Sequence, residues 1–147
     1  MAIIKRTTEV PYTAAQMFEL VDRIEQYPQF LPWCNETTVH SRTEDEVKAT
    51  IVVAKGGIQQ AFSTINRLQP NKMIEVRLLK GPFRHLEGFW LFEAVDPDRC
   101  RVSFHLEFEF SNKLIALTVG PLLERVTDSF MEAFCKRAKL CYDFKDH

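Results

Sequence analysis

Between residues 100 and 110 apolar and polar side chains alternate without a break. Cys100, Val102, Phe104, Leu106, Phe108 and Phe110 fall on one parity; Arg101, Ser103, His105, Glu107 and Glu109 fall on the other. Successive side chains of an extended strand point to opposite faces, so this segment predicts a strand with one dry and one wet face. The run at about 84–95 places Leu86, Gly88, Trp90, Phe92 and Ala94 on a matching dry face. Further strands are predicted at about 36–41, 46–54, 58–68 and 73–79. In the second of these, Val47, Ala49, Ile51 and Val53 alternate with Lys48 and Thr50. Gly56 with Gly57, Pro70 with Asn71, Gly81 with Pro82, and Asp96-Pro97-Asp98 supply turns between consecutive runs. Connections this short predict an antiparallel meander. One more strand, at about 3–10, precedes it and ends at Pro11. Facing residues on the last two strands must share a face, so their numbers sum to an even value. A sum near 196 pairs Phe92 with Phe104 and Gly88 with Phe108, the glycine leaving room for a ring.

The period then changes. From about 112 to 142, Leu114, Ile115, Val119, Leu122, Val126, Phe130, Phe134 and Ala138 recur at three- and four-residue steps, predicting one long helix capped by Ser111 or Asn112. Pro121 lies inside it and should kink it, at a cost of ~3 kcal/mol. A short helix is predicted from Thr13, its cap, to about Asp22, with Met17, Leu20 and Val21 on one face. The apolar stretch at 24–33 contains Pro28 and Pro32 and reads as a helical turn followed by a loop. The fold class that results is α+β: a seven-stranded curved antiparallel sheet around a long C-terminal helix, with two short helices between strands 1 and 2. Residues 1–147 form a single domain. Only the long helix can cover the dry face of the sheet. It is about 10 Å across, whereas seven strands span about 30 Å. The sheet must curl, and a curled sheet over one helix readily leaves space between them.

Composition sharpens this picture in one respect. Hydrophobic residues make up 46% of the chain and 12 of them are Phe, which suits a greasy interior, either a solid core or a lined cavity. Nineteen basic residues against 20 acidic give a net charge of -1, so no DNA-binding surface is announced. Cys34, Cys100, Cys135 and Cys141 lack C-x-x-C or metal-ligand spacing and read as buried reduced thiols. No run approaches the ~20 apolar residues of a membrane span, and the N-terminus reads as a strand and not a leader. A soluble cytoplasmic protein, peripheral at the inner membrane face at most, is the expectation. His40, His85, His105 and His147 show no mutual spacing that suggests catalysis, and His105 sits on the wet parity. With no Ser-His-Asp set, paired inward carboxylates or phosphate loop, no enzyme activity, metal or cofactor is expected.

Three stretches together carry a resemblance: 27–34 (YPQFLPWC), Gly81-Pro82-Phe83 with Leu86, Gly88, Trp90 and Phe92, and 104–114 (FHLEFEFSNKL). In this order they resemble the coenzyme Q-binding START-domain family, specifically the bacterial RatA and oligoketide cyclase-like branch of the START/SRPBCC superfamily. The resemblance covers nearly the whole chain. It implies a helix-grip fold with a hydrophobic tunnel and, as ligand, ubiquinone or a similar polyprenyl lipid. It also implies, as an alternative, a toxin that binds the large ribosomal subunit and blocks subunit association.

Candidate tunnel residues are Phe83, from the second of the three motifs, and Trp90, Phe92, Phe104, Leu106, Val119, Val126 and Phe130, from parity and the helical stripe. Any one of them serves equally as core packing. Thr64 and Asn66 share the inward parity of Phe62 and Leu68, and polar groups on a dry face need partners. A quinone carbonyl, an ordered water or a backbone carbonyl would serve. Phe30, Leu31 and Trp33, in the proline-stiffened loop, are either a lid or wedge touching a membrane or partner, or a plug at the open end of the sheet. Taking isoprene carbon from water is worth ~0.8 kcal/mol per CH₂, but a quinone extracted from a bilayer is already dry, which suits a carrier or chaperone in respiration. Ribosome binding wants a basic face. Its candidates are Lys80 with Arg84 and His85, and Lys136, Arg137 and Lys139; near-zero net charge ranks this reading second, and a cyclase third.

Overall fold

In a computed structural model, which describes residues 2–143, the strands are β1 (Ala2–Val10), β2 (Cys34–Arg42), β3 (Glu46–Lys55), β4 (Ile58–Gln69), β5 (Met73–Lys80), β6 (Phe83–Asp96) and β7 (Arg99–Phe110). Helix α1 (Ala14–Asp22) and a 3-10 helix (Ile24–Gln29) lie between β1 and β2, and α2 (Lys113–Tyr142) ends the described chain. All seven predicted strands form, each within about three residues of its expected ends. The sheet order is β1-β7-β6-β5-β4-β3-β2, antiparallel throughout. β2 to β7 follow the expected meander, and β1 joins the far side of β7, pairing Ala2 with Phe108 and Val10 with Cys100.

The predicted register of β6 and β7 is corrected by one pleat. Gly88 faces Leu106, Trp90 faces Phe104 and Phe92 faces Val102, a sum of 194. Parity survives, so the facing dry residues still share one side, although Ala94 near the strand's end is exposed. The turn decides the difference. Asp96 pairs with Arg99 across the two-residue loop Pro97-Asp98, the Asp98 N–H donates to the Asp96 carboxylate at 2.9 Å, and a bulge between Ala94 and Asp96 shifts the ladder. Nor does the missing side chain of Gly88 make room for a ring. A Cβ there would lie 2.1 Å from the His105 carbonyl oxygen, so it is the β7 backbone that fills the space.

α1 starts on a capping box: the Thr13 hydroxyl accepts from Gln16 N at 3.1 Å, and the Gln16 side chain accepts from Thr13 N at 2.9 Å. Asn112 caps α2, accepting from Ile115 N at 2.9 Å. The helix continues across Pro121. The missing N–H there leaves the Leu117 carbonyl without its helical donor, on a turn where Leu117 is exposed and water can replace it. The buried residues of α2 begin at Val119, because its first turns run past the concave face of the sheet. Leu114, expected on the buried stripe, is therefore 71% exposed. The C-terminal half is tied down: the Tyr142 hydroxyl donates to the Gln16 carbonyl at 2.8 Å, and Arg6 of β1 pairs with Asp128 at 2.5 Å.

The core fills the concave side. Cys100, Val102, Phe104, Leu106 and Phe108 of β7 are buried, as are Leu86, Trp90 and Phe92 of β6, against Met17, Leu20 and Val21 of α1 and Phe134 and Ala138 of α2. A smaller cluster joins Val53, Leu122 and Val126, with Trp33 packed on it.

Candidate functional site

Between the concave face and the middle of α2 the packing leaves a cavity of about 80 Å³. Its walls come from every layer. β4 contributes Phe62, Thr64 and Asn66, β6 contributes Leu86 and Trp90, and β7 contributes Phe104 and Leu106. α2 contributes Leu123, Thr127, Phe130 and Phe134, and the 3-10 helix closes one side with Ile24 and Tyr27. The lining is mainly aromatic and held edge-on: the Phe134 ring meets Tyr27, Phe30 and Trp90 at centroid distances of 5.5, 5.3 and 5.2 Å.

Three polar side chains interrupt the apolar wall, and two are already satisfied. Thr127 donates back to the helix carbonyls of Leu123 and Glu124, each at 3.0 Å. Thr64 donates to the Asn66 side-chain oxygen at 3.0 Å. That bond leaves the amide nitrogen of Asn66 with no acceptor among the described residues, although the side chain is nine-tenths buried. The cavity therefore presents a hydrogen-bond donor, as a carbonyl oxygen or a water requires. The Tyr27 hydroxyl donates to the Val21 carbonyl, and burial, reinforced by the nearby Asp22 charge, pushes its pKa far up, so it stays a neutral donor. Small-molecule pockets begin near roughly 300 Å³. In this closed arrangement the cavity takes a few waters or a small fragment, and a quinone ring with its tail needs α2 to move outward.

The sequence-predicted residues divide cleanly. Phe62, Thr64, Asn66, Trp90, Phe104 and Phe130 line the cavity, with Leu106. Phe83 instead stacks on Phe110 at 5.1 Å, and Phe92 packs edge-on against Phe18 at 5.6 Å. Val119 is buried outside the cavity, and Val126 belongs to the smaller cluster. Phe30, Leu31 and Trp33 all pack on the core: Leu31 is buried, Phe30 packs on Tyr27 and Phe134, and Trp33 packs on the smaller cluster with Lys55 4.6 Å over its ring. Tyr27, Leu123 and Thr127 were missed. Leu123 and Thr127 lie beside the predicted stripe and run into its Phe130 and Phe134 at steps of four and three, a signal that was present in the sequence.

Arg137 corrects the second basic candidate. Its Nη2 donates to Gln29 at 2.7 Å and Gln26 at 3.4 Å, and its guanidinium lies 5.1 Å over the Phe30 ring. It fastens the 3-10 helix and loop to α2 and is not presented to solvent as a phosphate ligand. Lys136 is exposed and pairs with Glu132 at 3.1 Å. His105 keeps its predicted wet face, stacked on Phe89 at 5.3 Å; His147 lies outside the described residues.

The profile of the polyketide cyclase / dehydrase and lipid transport family matches residues 10–135. The chain belongs to that family. Within it, the chain is 42% identical over 142 residues to the ribosome association toxin RatA of Escherichia coli K12, covering 97% of this chain and 90% of that protein. It is 26% identical to the mitochondrial coenzyme Q-binding protein COQ10 homolog B of Xenopus laevis, over 89% of this chain but 55% of that protein. The resemblance carried by the three motifs thus stands. The fold is that of the ZhuI aromatase/cyclase from a Streptomyces species, with TM-score 0.81 over 94% of this chain and 93% of that one, at 16% identity. At that identity the likeness concerns the fold alone. In this chain the cavity lies under the long helix. Among the described residues no helix is long and apolar enough to cross a membrane.

Proposed function

We propose that this chain is a ribosome-association factor of the RatA kind, which docks on the large ribosomal subunit and so blocks its joining with the small one. The observation that carries this reading is end-to-end similarity at 42% identity to a relative of nearly the same extent. This reverses the order drawn from composition, where near-zero net charge put ribosome binding second. Net charge averages over the surface, whereas docking needs only a local patch.

The candidate surface lies where the first turns of α2 meet the sheet. A groove of about 700 Å³ runs between α2 and the ends of β6 and β7, lined by Arg84 and Lys113, by Glu109, which pairs with Arg84 at 3.8 Å, and by Glu124, with Leu117 and Pro121 along its wall. Leu114 and Leu117 are 71% and 76% exposed, a large apolar area beside two cations. Phosphate contacts from Arg84 and Lys113 with apolar contacts from the leucines would suit a ribonucleoprotein surface. The reading contains no catalytic step. Purified chain should co-sediment with large subunits, and Arg84→Glu with Lys113→Glu should weaken this at least tenfold, while Lys139→Glu leaves it intact. No co-sedimentation of the parent chain would overturn the reading.

A second reading, binding of a polyprenyl lipid such as ubiquinone, is favoured by the unpartnered Asn66 amide in an apolar cavity and by the likeness to a coenzyme Q-binding relative. It requires α2 to swing outward, and contact with a membrane surface while it does so. Mass spectrometry of lipid extracted from the purified chain should then show a quinone, lost in Asn66→Leu.

A further inference from the structure

On the convex face of the sheet, away from the cavity and next to the groove, whose Glu109 faces His85, β6 and β7 bring two glutamates face to face. Glu87 is directly opposite Glu107 in the ladder, an arrangement that is repulsive in an antiparallel pair. Arg77 faces Glu87 from β5 and Lys5 faces His105 from β1, yet among the described residues no lysine or arginine forms an ion pair with either carboxylate. Each instead has a histidine: His85 Nε2 lies 3.6 Å from Glu87 Oε1, and His105 Nε2 lies 3.3 Å from Glu107 Oε1. One ligand atom from each of His85, Glu87 and Glu107 falls within a common 4.8 Å.

We propose that His85, Glu87 and Glu107, with His105 as fourth ligand or as partner of Glu107, form a binding site for one divalent cation, best suited to Zn²⁺. A nitrogen-and-oxygen donor set of this kind suits a borderline ion. Tetrahedral Zn²⁺ about 2.0–2.1 Å from each donor sets neighbouring donors about 3.4 Å apart, close to the two histidine–glutamate separations. The remaining gap closes by side-chain rotation, since these groups are only partly buried. The surroundings favour a fixed site. A depression of about 320 Å³ opens here, lined by Glu75, Arg77, Glu87, Phe89, His105 and Glu107, with His85 outside its lining. Within it, Phe89 holds the His105 ring nearly parallel to its own, at an interplanar angle of 4°. Both strands are central in the sheet, so the backbone carrying the four side chains is rigid. The ion supplies the positive charge that the facing carboxylates lack.

Calorimetric titration of the full chain with Zn²⁺ should show one equivalent bound and a rise in unfolding temperature. Glu107→Gln should weaken binding at least tenfold and, by removing the facing charge, make the metal-free chain unfold at a higher temperature than the parent. His85→Gln, which keeps both carboxylates, should weaken binding without that gain. Cysteines are the competing ligands, so Cys135→Ser with Cys141→Ser must leave the titration unchanged. In proton NMR the ring signals of His85 and His105 should move on adding Zn²⁺, and those of His40 should not. Absence of binding, undiminished binding in both glutamine variants, or loss of binding in the cysteine variant would overturn the proposal.

Discussion

A methyl group added at Gly88 would sit 2.1 Å from the His105 carbonyl oxygen and 3.0 Å from Leu106 Cα, both backbone atoms of β7. Backbone in a paired central strand cannot step aside as a flexible side chain can. Gly88→Ala should therefore lower stability by about 2–3 kcal/mol, read from the urea midpoint. The cysteines yield a second prediction at this scale. Burial pushes the thiols of Cys34 and Cys100 from 9.0 up to about 11. Both groups are neutral in folded and unfolded chains below pH 9. Above it the unfolded chain loses protons that the folded one keeps, so folding stability falls as pH rises from about 9 through about 11. Urea midpoints at a series of pH values check the direction, and thiol-labelling rates at neutral pH should be slow at both positions. The inward burial of Thr64 and Asn66 was legible from parity alone. That they bond to each other, freeing one amide for the cavity, depends on rotamers that no pattern encodes.

Elements were the most legible level, because they are set by neighbours in sequence. The strand at β7 needs only its alternation, and α1 needs only the Thr13 cap and its apolar face. Because the box satisfies two donors at the start of a helix of nine residues, Thr13→Ala should cost about 1 kcal/mol, measured as a shift in the urea midpoint. Opening of α1 should appear first in hydrogen exchange, since few turns remain to hold it. The α2 stripe held from Val119 to Ala138 but extended too far toward Leu114, and it missed Leu123 and Thr127. Periodicity gives the apolar side of a helix, but the place along its axis where burial begins depends on where the sheet ends. The β6–β7 register failed for a related reason: parity restricts it to alternatives two residues apart, and a bulge beside the Pro97-Asp98 turn selects among them.

At the scale of the whole molecule, the proposed lipid reading turns on how tightly α2 closes on the sheet, whereas the ribosome reading does not. The cavity of about 80 Å³ has room for part of a larger side chain. Leu123→Phe, placed on its α2 wall, should leave the unfolding temperature within a few degrees of the parent. The same variant should abolish any lipid uptake while leaving co-sedimentation with large ribosomal subunits unchanged. A variant that lost both would tie the two activities to one movement of α2. Arg137, bridging α2 to Gln26, Gln29 and Phe30, holds the loop side of that closure.

The sequence by itself determined the seven strands, the caps, the turns and which face of each strand is dry, since each follows from conformational preferences summed over a few adjacent residues. Only the tertiary structure decided that β1 pairs with β7, that the ladder sums to 194, and that Phe30, Leu31 and Trp33 pack on the core. It also decided that Glu87 and Glu107 confront each other. These outcomes depend on contacts between residues far apart in the chain, where shape and volume decide between arrangements that satisfy the same polar and apolar pattern.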